Sequence, residues 1–166
     1  MPPITIANVD WSILDDVRAA LAAATEAGQS VFPRLAITTS AGQAAQCQLQ
    51  DSPVAILRYV TTREDISPED ARGCCLVLEL ILAVQADGDG MDESPGLEAA
   101  LRLKNAAINA VESDPPEAAS AWGNADHYQD RIRWGRPAID ASAQQPWAIC
   151  RLPLEIGFIL DGGTDH

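Results

Sequence analysis

The chain has 166 residues, of which 47% are hydrophobic and 21% are charged. This composition is typical of one globular domain with an apolar core, and it excludes an intrinsically disordered chain. There are 24 acidic and 11 basic side chains, for a net charge of −13. Such a surface repels nucleic-acid phosphates, which disfavours a protein that reads or scans DNA sequence.

The first predicted element is an amphipathic helix over residues 11–27. Asp10 is a favourable N-cap residue, and Val9 and Leu14 have the spacing of a hydrophobic staple. An apolar stripe includes Trp11, Leu14 and Leu21, and Gly28 is placed to end the helix. The following residues, 31–34, predict a turn into a strand.

Three strands are predicted next, over residues 35–39, 54–61 and 74–85, separated by a polar stretch (40–52) and a charged loop (62–73). The third has the strongest pattern, because every second residue from Cys74 to Val84 is apolar while the other face is mixed and includes Glu79. We therefore expect Leu78 to be fully buried. This stretch is too short to span a bilayer, and the N-terminus lacks a basic and a long apolar region, so we expect neither a membrane anchor nor a signal peptide.

An acidic loop over residues 87–93 leads into a second helix over residues 94–112, with its cap at Ser94 and a proline at the first helical position. The expected apolar stripe of this helix consists of Leu97, Leu101, Ile108 and Val111. Three acids of the region fall at calcium-ligand positions of an EF-hand loop, but a strand precedes the loop and the required glycine is missing. We interpret the loop as a solvated connection and predict no metal site.

The last third of the chain combines a long irregular segment, residues 117–145, with a strong final strand over residues 147–160. Within the segment, only residues 131–139 suggest a strand, and weakly. In the final strand Leu154 lies on the apolar face and should be fully buried, whereas Pro153 lies on the opposite face and cannot donate a ladder hydrogen bond. Pro153 therefore predicts an edge position or a bulge.

These elements predict a single domain over residues 1–166 with an α/β (α+β) fold. We expect a mixed sheet of four to five strands with the two main helices packed on one face. The cysteines, Cys47, Cys74, Cys75 and Cys150, form no CxxC pair, and the adjacent two point to opposite faces of a strand. We expect the cysteines to be free, mostly buried thiols of a protein that is located in a reducing compartment.

The chain carries no recognisable catalytic motif. His127 lies near two carboxylates, as a general base could, but no nucleophile motif accompanies it. Zinc-protease, phosphate-binding and dinucleotide-binding motifs are also missing from the sequence. We therefore predict no catalytic residue, no cofactor and no enzymatic activity.

A basic, tryptophan-bearing region near the C-terminus is the best candidate for a protein interface, because arginine and tryptophan are favoured interface anchors. In an acidic protein, such a segment could join subunits head to tail through unlike charge. The interface candidates are Arg131, Arg133, Trp134, Arg136, Trp147 and Pro153.

The order of elements resembles the tail terminator and tail completion proteins of long-tailed bacteriophages. The resemblance is carried by the first helix with its "VFP" turn (31–33) and by the strands "LAITTS" and "PVAILRYV". It continues through "CCLVLELILAVQADGD", the helix "GLEAALRLKNAAINAV" and the final "AICRLPLEIGFIL". It covers nearly the whole chain and rests on pattern, although the segment 117–145 is longer than in compact members.

The resemblance implies a structural protein of the virion, assembled in the host cytoplasm. It implies a homo-oligomeric ring, usually a hexamer, that caps the tail tube, ends tail growth and joins tail to head. Its partners would be other copies of the chain, the tail tube protein and a neck protein. Double-stranded DNA would pass through without specific binding, along a lumen for which the candidates are Asp87, Asp89, Asp92 and Glu93. The alternatives are another neck, tube or baseplate component of a phage or contractile machine, or a protein-binding adaptor that takes a peptide at the Pro153 strand.

Overall fold

A computed structural model describes residues 9–40, 53–65, 72–86, 91–113, 132–144 and 146–160. These residues form two helices and eight strands. The helices are α1 (Val9–Ala23) and α2 (Ser94–Ser113). The strands are β1 (Thr25–Glu26), β2 (Gln29–Ser30), β3 (Arg34–Thr38), β4 (Val54–Asp65), β5 (Arg72–Gln85), β6 (Ile132–Trp134), β7 (Ala138–Gln144) and β8 (Trp147–Leu160).

The sheet has six strands in the order β3-β4-β5-β8-β6, with β7 also paired to β8. It is mixed, because β3 is parallel to β4 while the other pairs are antiparallel. The central pair, β5 and β8, stays in register from Arg72 opposite Leu160 to Gln85 opposite Trp147. The predicted α+β class is confirmed, although the sheet has more strands than expected.

Both helices pack on one face of this sheet. Leu78 is 1% exposed and Leu154 is fully buried, in one apolar cluster with residues of α1 and α2. The prediction that the apolar faces of the two long strands meet the helices in the core is therefore confirmed. The alternating pattern of β5 and β8 dictates this arrangement, since one face consists wholly of apolar or thiol side chains over residues 74–84 and 148–160.

Helix α1 ends four residues earlier than predicted, because the chain turns into a small hairpin. Strands β1 and β2 pair through a two-residue turn in which both Ala27 and Gly28 have positive φ. That conformation is the one a type I′ hairpin turn requires, so Gly28 serves the hairpin instead of ending the helix. At the start of α1, a carboxylate oxygen of Asp10 accepts a 2.7 Å hydrogen bond from the hydroxyl of Thr62 on β4.

The buried stripe of α2 differs from the predicted one. Ala100, Leu103, Ala107 and Val111 are buried at helical spacing, whereas Leu97 and Leu101 are 43% and 37% exposed. The prediction favoured the larger side chains. The side of α2 that faces the sheet instead includes Ala100, Leu103 and Ala107, together with the predicted Val111. Two leucines are thereby left on the outside of the helix.

The C-terminal part of the predicted irregular segment is regular structure. Residues 138–144 form β7, and the weak strand expected over 131–139 is interrupted at 135–137 between β6 and β7. Residues 117–131 and 145 of the segment lie outside the described residues.

The interruption between β6 and β7 lies opposite Pro153. The Gly135 N–H donates to the Pro153 carbonyl over 2.9 Å, so the backbone edge of Pro153 that lacks an N–H points towards this break. The expected edge position of Pro153 is wrong, because β8 is an interior strand with β5 on one side and β6 and β7 on the other. The expected alternative, a bulge, is closer to the structure, because the pairing shifts by one residue here, from Trp134 opposite Leu154 to Ala138 opposite Arg151. The proline is tolerated because its neighbour is interrupted there. A Cβ on Gly135 would lie 2.7 Å from the Cβ of Pro153, so the close approach requires glycine.

Candidate protein interface

The face of the sheet opposite the helices, here called the sheet face, has a charged centre. The carboxylate of Glu79 on β5 accepts from the Arg58 guanidinium of β4 over 3.0 Å and from that of Arg151 on β8 over 3.2 Å. Arg58 lies directly opposite Glu79 in the sheet, and Arg151 reaches it diagonally from the next pair. The Glu79 side chain is only 17% exposed, so one carboxylate ties together the three longest strands.

Further along the same face, the ion pairs become more exposed. Arg63 of β4 contacts Glu155 of β8 over 3.2 Å, and their side chains are 52% and 35% exposed. Arg133 of β6 is directly opposite Glu155 in the register and is exposed. Arg63 also donates to the thiol sulfur of Cys75 over 3.5 Å. Glu155 thus has an ion-pair partner on β4 and an arginine opposite it on β6, both on the sheet face.

The other end of the sheet face is apolar. A second cluster of buried residues lies there, with Trp147 packed against it at the start of β8. Its members are Val54, Ile56, Ile81, Ala83 and Ile149. The sheet face therefore combines an apolar end with a charged centre, as the mixed pattern of residues 74–85 suggested.

The two sides of the sheet differ in charge. By register, the described side chains of the sheet face include five arginines and three acids, a net charge of +2: Arg34, Arg58, Arg63, Arg133 and Arg151 against Glu79, Asp140 and Glu155. The opposite side, here called the helix layer, consists of α1, the β1–β2 hairpin, residues 91–93 and α2. Its described side chains include eight acids and three bases, a net charge of −5: Asp10, Asp15, Asp16, Glu26, Asp92, Glu93, Glu98 and Glu112 against Arg18, Arg102 and Lys104. The excess of acid is thus concentrated on one side.

The helix layer also has an exposed apolar part. Leu97 and Leu101 lie on the outside of α2. Leu101 borders an open groove of about 690 Å³ between the end of α1 and α2, whose polar lining includes Glu26, Glu98 and Arg102. Apolar side chains ringed by charges are typical of surfaces that bind other proteins.

The predicted interface residues do not form one patch. Arg133, Trp147 and Pro153 share the sheet face, although Trp147 and Pro153 are half-buried. Arg136 is exposed in the connection between β6 and β7, and Arg131 lies outside the described residues.

Trp134 lies on the side of the sheet that carries the helices, where it is half-buried. Its indole N–H donates a 2.7 Å hydrogen bond to the carboxylate of Glu112 in the last turn of α2. The contact pins the short strand β6 to the helix layer, so Trp134 has a structural partner within the chain.

Of the predicted lumen residues, Asp92 and Glu93 are exposed, whereas Asp87 and Asp89 lie outside the described residues. The Asp92 carboxylate accepts hydrogen bonds from the hydroxyl and the N–H of Ser94, and these bonds lower the pKa of Asp92. Asp92 thereby satisfies an N–H at the start of α2, the position at which a negative charge is favourable.

One buried carboxylate was missed by the analysis of the sequence. Asp16 is 6% exposed, and its Oδ2 has no hydrogen-bond partner. Burial, with a smaller contribution from the nearby charge of Asp15, raises the pKa of Asp16 to about 6. The feature of the sequence that indicates its burial is helical spacing: Asp16 is three residues after Ile13 and four before Ala20, which places it on the inner side of α1.

The described thiols are buried. Cys74, Cys75 and Cys150 are not in disulfide bonds, and Cys74 and Cys75 lie on opposite faces of β5 as expected. Burial raises the pKa of the Cys150 thiol to about 11, which makes it a poor nucleophile. Cys47 lies outside the described residues, as does His127.

Within the described residues, no three histidine, cysteine or acidic side chains come together to hold a metal ion. No helix in the same part of the chain is long and apolar enough to cross a membrane. Comparisons with models of protein families and with curated proteins found no match to the chain.

Proposed function

We propose that the chain is a structural subunit of a ring that caps the tail tube of a long-tailed bacteriophage, ends tube growth and joins the tail to the head. The observation that carries the proposal is the two-layer architecture, in which two helices cover one face of a mixed sheet and, among the described residues, leave the other face open. The order of its elements resembles that of the tail terminators. Its two outer sides differ in charge. A subunit with two unlike sides suits a head-to-tail ring, because such rings pair different surfaces of neighbouring copies.

The acidity of the chain supports the passage of DNA through such a ring. Each contact between a basic side chain and a phosphate adds salt-dependent affinity, which would slow a sliding duplex. A net charge of −13 gives weak repulsion instead, screened beyond about 8–10 Å at physiological salt. The lumen we propose includes the exposed acids Asp92 and Glu93 and the preceding Asp87 and Asp89.

The proposed location is the neck end of the virion tail, after assembly in the bacterial cytoplasm. The proposed partners are the tail tube protein on one side of the ring and a neck protein on the other. The adaptor alternative is less favoured in one respect, because Pro153 lies in an interior strand and offers no free edge for a peptide.

Deletion of the gene in the phage genome that encodes it tests the proposed function. We expect tail tubes of uncontrolled length that lack attached heads, visible by negative-stain electron microscopy, because nothing would cap the tube. Complementation with the wild-type gene should restore uniform tails. Normal-length tails joined to heads in the deletion strain would refute the proposal.

A reconstruction of the assembled particle tests the lumen. We expect a closed ring, most simply of six copies, with more acidic than basic side chains along its pore. A pore lined mainly by arginines would contradict the charge argument, and an assembly without a pore would contradict the ring itself.

A further inference from the structure

We propose that the chain assembles head to tail, with the sheet face of one copy packed on the helix layer of the next. This inference specifies the contact between subunits of the proposed ring. It rests on the proposed function only in that the copies close into a ring, and the contact itself can be tested without any phage. The occupant of the sheet face is therefore a second copy of this chain.

Charge complementarity is the first argument. The described sheet face has a net charge of +2, and the described helix layer a net charge of −5, or −3 without Asp92 and Glu93, which we assign to the lumen. Contact between two helix layers would bring the strongest like charges together, and contact between two sheet faces would also be repulsive. Only the unlike pairing is attractive, and like-charge contacts suppress the alternatives.

The second argument is that both sides carry apolar surface beside their charges. On the helix layer, Leu97 and Leu101 are exposed next to the Glu98 carboxylate, which is 76% exposed. On the sheet face, the half-buried Trp147 and Pro153 lie along the strand that carries Arg151. A stable interface needs an apolar centre with a polar rim, and these two sides can supply it together.

The arrangement of the arginines favours a protein partner over DNA. Arg58 and Arg151 share the carboxylate of Glu79, and Arg63 contacts Glu155, so acids are interleaved with bases across the face. A duplex would need a basic surface without such acids, because carboxylates repel phosphates. Interleaved ion pairs suit a protein surface that also carries both signs.

A contact between unlike faces has a geometric consequence. A head-to-tail dimer leaves a sheet face uncovered at one end and a helix layer uncovered at the other, so further copies can add. The assembly closes into a ring if the rotation between copies allows it, and otherwise grows as a filament. Two-fold dimers, in which the same patch meets itself, are not expected.

Reversal of one exposed charge on the sheet face tests the contact. We expect Arg133→Glu to weaken self-association about tenfold or more in sedimentation velocity at low salt, because it places a like charge opposite the acidic helix layer. Arg102→Glu is the matched control: it makes the same change of charge at an exposed site on α2. It should strengthen association, because it makes the helix layer more acidic, whereas a general penalty for charge reversal would weaken it. Far-ultraviolet circular dichroism should show that both variants are folded.

A mixing experiment provides the reciprocal test. Glu98→Arg makes the helix layer less acidic, so this variant should also associate poorly alone. An equimolar mixture of the Arg133→Glu and Glu98→Arg variants should recover assembly, because each reversed face then meets its complement. Recovery in the mixture is a result that a mere loss of folding cannot produce.

The outcomes separate this inference from the proposed function. If Arg133→Glu associates as the wild type does, or if the wild type stays monomeric at about 0.1 mM and low salt, the proposed contact is wrong whatever the deletion strain shows. Duplex DNA binding that Arg133→Glu abolishes would also overturn it, by assigning the sheet face to nucleic acid. Head-to-tail assembly together with normal tails in the deletion strain would uphold the contact and refute the phage function.

Discussion

Replacement of the buried Asp16 by asparagine should stabilise the protein at neutral and alkaline pH. The substitution keeps the shape of the side chain and removes a charge that is 6% exposed and whose Oδ2 has no hydrogen-bond partner. Burial raises the pKa of this carboxyl from its ordinary 3.8 to about 6. An ionised Asp16 therefore costs the folded state free energy, since the unfolded chain ionises the same group in water.

The magnitude follows from the pKa difference. One pKa unit corresponds to about 1.4 kcal/mol, so the charge of Asp16 lowers the free energy of unfolding by at most about 3 kcal/mol well above pH 6. Between pH 3.8 and 6 the folded chain holds a proton that the unfolded chain has released, so stability falls as the pH rises through this window. At pH 5 the cost is about half of its full value.

Urea denaturation followed by tryptophan fluorescence at pH 8 and pH 5 measures this effect. We expect Asp16→Asn to be more stable than the wild type at pH 8, with a gain about half as large at pH 5. Asp15→Asn is the control, because Asp15 is exposed and pairs with Arg18; its effect should stay within about 0.5 kcal/mol. A gain that is zero, or equal at the two pH values, would refute the assignment of an ionised, unpartnered Asp16.

Four further substitutions test the sheet, each by urea denaturation. Glu79→Gln should lower the free energy of unfolding by about 2 kcal/mol, because it leaves two arginines without their shared carboxylate; the more exposed Glu155→Gln should cost less than about 1 kcal/mol, and equal losses would contradict the assigned role of Glu79. Leu154→Ala should cost about 2–5 kcal/mol as a fully buried truncation, and a loss below about 1 kcal/mol would place Leu154 outside the core. Gly135→Ala should cost about 1–3 kcal/mol, because its Cβ would lie 2.7 Å from that of Pro153; an unchanged denaturation midpoint would show that the strand break is not tight.

Local patterns in the sequence were sufficient for the fold class and for the centre of the core. The alternation of residues 74–85 and 147–160 identified two long strands and placed Leu78 and Leu154 in the core, because a strand with one wholly apolar face must bury that face. The helical periods of residues 11–27 and 94–112 identified both helices. The periodic spacing of apolar residues is a property of one helix or strand. It can therefore be recognised in the sequence without knowledge of the fold.

The tertiary structure decided which strands are neighbours, and the features of the candidate interface follow from that. Pro153 was expected at an edge or a bulge, and an interior position is possible because the strand opposite it is interrupted between β6 and β7. The two leucines on the outside of α2 were misplaced, and the burial of Asp16 was missed, for a similar reason: the position of the facing element determines which side of a helix is buried.

The net charge of −13 could be counted in the sequence, but its division between a basic sheet face and an acidic helix layer could not. Arg58, Arg151 and Glu79 are separated by 21 to 93 residues along the chain and meet only because β4, β5 and β8 are adjacent in the sheet. Composition determines the sum of the charges. Strand order determines their positions, since electrostatic interactions depend on distance in space and not on separation along the chain.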